Sequence, residues 1–392
     1  MKQNRLLSDA SQLFCQNERC PARGQIGARN IVKHGQKRER YKCKVCGKTF
    51  SAKEGTMFEG LRKPVELIVI VVTLLSYGCP LQAIVHAFEL DERTVARWQK
   101  QAGAHCQKVH EEQIMQNKLD LQHIQADEIR VKGCTMIPWM AMAIMVSTRL
   151  WLGGVVSLRR DRKLADALFR LVRGCATPLR PLLVLTDGWA AYPHSIRRAF
   201  REKRPRLTSK GRCKLVVWPE LLIGTVIKRT AKKHVVEVIR RMAHGLEEKA
   251  LHLLSSTSGG KVLNTAFIER INGTFRERLA GLTRRCRHAP RTSTLLEAGM
   301  WLVGCTYNWC WAHQELSRKR GDAISPAMAS GLTDHLWTVK ELLAHRIAPS
   351  PWSPPKRRGR PPSLGRPHKA APIKRRTGLL RLKGGALCPS TR

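Results

Sequence analysis

The 392-residue chain carries 71 lysines and arginines against 29 aspartates and glutamates, a formal charge of +42. A charge of that size repels itself unless a polyanion neutralises it, so nucleic acid is the expected partner. The most apolar run, Val65 to Tyr77, is about 13 residues long against the roughly 20 that a spanning helix needs, which argues against a membrane partner and for a buried helix.

The first residues, MKQNRLLSDASQLF, lack an apolar signal core, so the 13 cysteines are expected in a reducing cytoplasm as metal ligands or free thiols. Within residues 11–60, Cys15 and Cys20 form a C-x4-C pair, and Cys43 and Cys46 a C-x2-C pair inside YKCKVCGKTF. Four thiolates close a tetrahedral Zn2+ site, Gly47 suits the tight turn, and Tyr41 and Phe50 supply a miniature core. So short a segment needs a structural metal to fold, and a zinc ribbon is predicted; His34 is an alternative ligand.

Residues 61–118 read as helices. Leu81, Ile84, Val85 and Phe88 share one helical stripe, and Asp91 is a natural N-cap for a second helix that turns Val95 and Trp98 inward. The opposite face of that helix carries Arg93, Arg97 and Lys100, the layout of a helix-turn-helix whose basic face contacts duplex DNA. Residues 119–315 alternate strand-like and helix-like runs, an α/β pattern, and 316–348 form a helical extension. From 349 to 392 the chain is rich in Pro, Gly and Arg, and it reads as a basic tail disordered until bound. Within it, Arg358, Gly359, Arg360 and Pro361 resemble the core of an AT-hook, thin enough to lie in a narrow minor groove.

In this basic chain three acids stand out. LDLQHIQADEI ends a strand-like run at Asp127, and PLLVLTDGWAAYP ends an apolar run at Asp187. Functional side chains collect where the strands of an α/β sheet end. Glu269 supplies a third carboxylate from a predicted helix over 265–280, whose buried stripe is Ile268, Ile271, Phe275 and Leu279, with Asn272 and Arg276 beside the acid. Three carboxylates suit Mg2+, and two such ions activate both oxygens of an in-line displacement at phosphorus. Glu128 follows Asp127 directly, so strand alternation turns it to the other face and marks it as structural or substrate-adjacent rather than a ligand. Trp189 and Tyr192 are expected to pack helix on sheet, and His313 to be a capped, satisfied histidine.

QADEI, LTDGWAAYP and NTAFIERINGTFRERLAGLTRR, in this order, resemble the Asp-Asp-Glu transposases of bacterial insertion sequences, especially the insertion-sequence-one group with its N-terminal zinc ribbon and helix-turn-helix. The resemblance implies a ribonuclease-H-like catalytic domain with Asp127, Asp187 and Glu269 as catalytic and metal-binding residues. It also implies Mg2+-dependent cleavage at the terminal inverted repeats and transfer of the freed 3′-hydroxyl into target DNA. A homodimer or larger assembly on DNA, in a bacterial cytoplasm and nucleoid-associated, follows from the same likeness. The stretch between Asp187 and Glu269 exceeds the compact pattern and reads as an inserted strand and helix. A noncatalytic DNA-binding regulator or decayed transposase is the competing function, and a nuclease a lesser one.

Overall fold

Among the described residues this basic chain folds into three sheets and the helices that cover the largest of them. The computed structural model describes residues 13–35, 40–131, 137–204, 213–232, 234–282, 292–349 and 352–354. The expected disordered tail, with Arg358, Gly359, Arg360 and Pro361, lies outside them apart from its first residues. Met1–Trp352 cluster as one unit and Ser353–Arg392 as a second.

The N-terminal module is a three-stranded antiparallel sheet of β1 (Ile31–Lys33), β2 (Arg40–Cys43) and β3 (Thr49–Ser51). Its core is small: Leu13, Ile31, Tyr41 and Phe50 close around the cysteines. Three helices follow. The apolar run forms α1 (Val65–Ser76), which buries Ile68, Val71 and Val72. Next come α2 (Leu81–Phe88) and α3 (Glu92–His110), joined through Glu89 at a left-handed φ of 50°. Asp91 caps α3 by accepting the Thr94 N–H at 3.1 Å, and Val95 and Trp98 point into the core.

The main sheet has six strands: β4 (Gln122–Arg130), β5 (Trp139–Met145), β6 (Trp151–Ser157), β7 (Leu182–Thr186), β10 (Leu221–Ala231) and β11 (His234–His244). Their order is β11-β10-β7-β4-β5-β6. The β4-β5-β6 meander is antiparallel, whereas β4, β7 and β10 run parallel. Parallel strands need crossovers, and α4 (Arg162–Cys175) and α5 (Ala191–Ala199) are the helical parts of those that lead into β7 and away from it. The interval read as one inserted strand and helix in fact holds α5, a separate hairpin of β8 (Arg201–Arg204) and β9 (Lys214–Val217), then β10, β11 and α6 (Glu247–Ser256). β11 lies at the sheet edge and leaves Val235 and Val236 exposed, so it lacks the alternation that marks a buried strand.

On the face opposite α4 and α5 lie α6, α7 (Ala266–Arg278) and α8 (Ser293–Trp309). Helix α8 is apolar nearly all round because it sits between the sheet and α3. There Trp151 meets Trp301 edge-on at 5.2 Å. The Asn308 amide takes the Trp151 N–H at 2.9 Å and donates to its carbonyl at 2.8 Å, which satisfies backbone groups of the edge strand β6. The chain then forms α9 (Gln314–Arg320), α10 (Pro326–Ala329) and α11 (Val339–Ala344). Just beyond α11 it returns to the N-terminal module: Arg346 donates to the carbonyls of Ala52 and Glu54, and the Ile347 N–H to that of Gly55.

Candidate metal centres

The parallel strands place two of the three singled-out acids side by side. The last paired residues of β4 and β7 are Ala126 and Thr186. Asp127 and Asp187 each come one residue later, where the backbones stop pairing and a crevice opens. Gly188 lets β10 close over this end, since a Cβ there would lie 2.7 Å from Ile227. Asp127, Asp187 and Glu269 line one cavity of about 500 Å3 at the end of the parallel strands, with Arg160, Trp189 and Lys228.

Each acid is held differently. Asp127 accepts the Glu128 N–H at 2.8 Å on one oxygen and the Asn272 amide at 2.9 Å on the other. Asp187 accepts the Trp189 N–H at 3.0 Å. Glu269, on α7, is bonded by the Thr265 hydroxyl and paired with Lys228 from the overhanging end of β10. The expected place of Asn272 beside Glu269 therefore needs correction: Asn272 serves Asp127, and Lys228, 41 residues away, faces the glutamate.

Glu128 also departs from the expectation. It does face the α4–α5 side of the sheet, where the Tyr192 hydroxyl donates to it and Arg160 pairs with it. Yet one oxygen each from Asp127, Glu128 and Asp187 lies within 4.8 Å of the other two. Strand β7 has ended at this level, so no backbone separates the two faces and a long glutamate side chain reaches round. Such a set of hard oxygens can hold a cation, and Glu269 stands at the rim of the same cavity rather than within that cluster.

The electrostatics fit a cation. Burial first, then the charge of Glu128 and those of Asp187 and Glu269, push the Asp127 carboxyl up to about 7 against the bond from the Glu128 N–H. Burial raises Glu128, opposed by Tyr192 and Arg160, and raises Asp187, opposed by the Trp189 N–H and Arg160. Arg160 answers part of this crowding. Its guanidinium lies 3.6 Å from Asp187 and stacks over Trp189 at 4.6 Å and Trp139 at 5.2 Å. Tyr192 is buried between helix and sheet, and His313 caps α9 by accepting the Leu316 N–H at 3.4 Å.

No protein-family model matches the chain, and no curated protein matches it.

Gln125 escaped the sequence reading. It lies two residues before Asp127 on the same face of β4 and is fully buried. Its carbonyl accepts the N–H groups of Phe267 and Ile268 at 3.0 and 3.1 Å, the first turn of α7, and its amide donates to Asn264 O at 2.9 Å. Thr265 makes no side-chain cap, so Gln125 does that work from another element and fixes where α7 presents Glu269. The available signal was a polar residue at an inward strand position. Gln125→Met should cost about 2 kcal/mol in urea unfolding, because it orphans the buried Ile268 N–H and the half-buried Phe267 N–H; a loss under about 0.5 kcal/mol would show that the helix end is satisfied otherwise.

At the N-terminus, Cys15, Cys20, Cys43 and Cys46 bring one Sγ each within 4.8 Å of the others, a set that can hold a metal; His34 is not among them. Gly47 takes the turn at φ 71°, and the Tyr41 and Phe50 rings sit 6.1 Å apart behind it. Burial raises the Cys46 thiol, but the bond from the Lys48 N–H and its neighbours outweigh it and leave the group at about 7. Arg93, Arg97 and Lys100 are exposed along α3 and do not line the acidic crevice.

Proposed function

We propose that the chain is a DNA transposase of the Asp-Asp-Glu type, which binds the ends of its element and catalyses metal-dependent strand cleavage and strand transfer. The observation that carries this reading is the convergence of Asp127, Asp187 and Glu269 on one cavity in a chain of charge +42. Three antiparallel strands followed by two parallel ones support a ribonuclease-H-like core. On this reading Asp127, Asp187 and Glu269 would hold Mg2+, with Glu128 reaching round beside Asp127 and Asp187. When bound, a pair of such ions polarises the attacking and leaving oxygens at phosphorus. The protein's own part is to fix the carboxylates: Asn272 and the Glu128 N–H orient Asp127, the Trp189 N–H orients Asp187, and Gln125 positions α7. Lys228 must yield Glu269 when the ion arrives. The four cysteines would hold a structural Zn2+, and α2–α3 would act as a helix-turn-helix with Arg93, Arg97 and Lys100 towards DNA.

One observation favours the noncatalytic alternative. Lys228 already neutralises Glu269, and Arg160 sits on Glu128 and Asp187, as in a purely structural ion-pair network. Cleavage decides between them. A duplex carrying the DNA that flanks the gene should be nicked at the element boundary with Mg2+ by the wild-type chain and not by Glu269→Gln. Its rate should rise about tenfold per pH unit up to pH ~7 and level off above, since the proton on Asp127 competes with the ion. Binding without cleavage, with Mn2+ also tried, would support the regulator.

A further inference from the structure

Beside the acidic crevice, on the α4–α5 face, lies a cavity of about 420 Å3 lined by Arg162, His194, Arg197, Arg198, Arg201 and Val217. Four guanidiniums gather there, and one carboxylate, Asp166, answers two of them: it accepts Arg198 at 3.0 Å and lies 3.9 Å from Arg162. Among the described residues no carboxylate pairs with Arg197 or Arg201. These two are instead pinned by backbone: the Arg197 Nε donates to Pro193 O at 3.3 Å and the Arg201 Nε to Arg198 O at 3.1 Å. Arg162 is in turn bonded to His194. Side chains that are normally mobile are thus held in place while they face one another, an arrangement that an isolated chain has no electrostatic reason to keep.

We propose that this cluster is a second phosphate-binding surface, which grips the backbone of the duplex DNA leading into the crevice. The inference rests on the nucleic-acid reading of the crevice and names a contact that reading does not require. Position supports it. Helix α5 starts four residues after Asp187, and its Tyr192 bonds Glu128. At ~1.5 Å per residue, Arg197 and Arg198 stand roughly 10 Å further along, about three nucleotides at 3.4 Å each along one strand. Arg160 begins the basic band at the crevice, and exposed Lys203, Arg204 and Lys214 continue it along β8 and β9. Guanidiniums present the fork that pairs with phosphate oxygens. Val217 is the one apolar residue in the cavity wall, so the wall lacks the apolar face on which a membrane-surface binder rests.

The test is binding of the full chain to a 30-bp duplex of arbitrary sequence, by fluorescence anisotropy across a salt series, with no divalent ion added. Arg197→Ala/Arg201→Ala should lower the slope of log K against log salt by about 2, at ~0.9 per phosphate contact. Arg197→Lys/Arg201→Lys should keep most of the slope. The pair Arg170→Ala/Arg180→Ala, exposed residues that do not line the cavity, should leave it unchanged. A wild-type slope in the first variant, or an equal fall in the control pair, would overturn the proposal. So would loss of binding to anionic lipid vesicles with DNA binding intact. Because the readout needs no cleavage, a failed cleavage assay and a failed phosphate surface remain distinguishable.

Discussion

Asp127→Asn is expected to remove the metal-dependent cleavage proposed above and, at the same time, to make the protein more stable at neutral pH. The loss follows from the ligand: an ion that contributes several kcal/mol to the transition state corresponds, at 1.36 kcal/mol per decade, to a rate fall of about 10³-fold or more. The gain follows from Asp127's surroundings, which raise its carboxyl from 3.8 to about 7. An acid whose folded value lies above its unfolded one is bound to its proton more tightly in the fold, so ionisation weakens the fold. That penalty is absent below pH ~4, grows between ~4 and ~7, and is complete above. Three units correspond to a ceiling of about 4 kcal/mol, and the partial exposure of Asp127 trims this to about 2. Asn272 helps the variant, because its buried carbonyl oxygen has no partner and can accept from the new amide once the Asn272 side chain turns over. Calorimetry from pH 4 to 8 should show wild-type stability falling with pH across that window and the variant nearly flat. A variant less stable than wild type at pH 7.5 would mean that the crowding described here does not exist in solution.

On the proposal that the four cysteines hold a structural Zn2+, removing that metal should have the larger structural effect. Structural zinc binding is worth roughly 10–16 kcal/mol in small modules, far more than the few apolar side chains around Cys20 and Cys43 supply. Cys43→Ser, or exhaustive chelation, should therefore abolish one bound zinc per chain and open residues 13–60 to protease. The core built on β4–β7 and α8 should stay protected, since it shares none of the four thiols. Protection of residues 13–60 without any bound metal would refute the structural role.

The parts of the site that could be read in the sequence are those set by local pattern. An apolar run that stops at an acid marks a strand end, which is why Asp127 and Asp187 stand out, and helical spacing alone puts Ile268, Ile271 and Phe275 inward and Glu269 at the margin. Two close cysteine pairs signal their own convergence. The hidden parts depend on residues far apart in the chain. Lys228 reaches Glu269 from the exposed, charged end of the β10–β11 hairpin, where the residues carry no alternation. Gln125 meets α7 across more than 140 positions. Glu128 was misread for a different reason: alternation correctly gives its face, but says nothing of where a neighbouring strand ends and lets both faces meet.

The returning segment at Arg346 and Ile347 bears on how the molecule is made. It supplies donors to Ala52, Glu54 and Gly55, and Leu343 accepts the Met57 N–H. The cysteine module thus lacks one wall until α11 and the residues just after it have been synthesised. A chain cut short before residue 343 would keep Asp127, Asp187 and Glu269 together with α3, yet carry a loosened N-terminal module. Early termination would therefore uncouple the cysteine module from the rest of the protein without touching a single acid of the crevice.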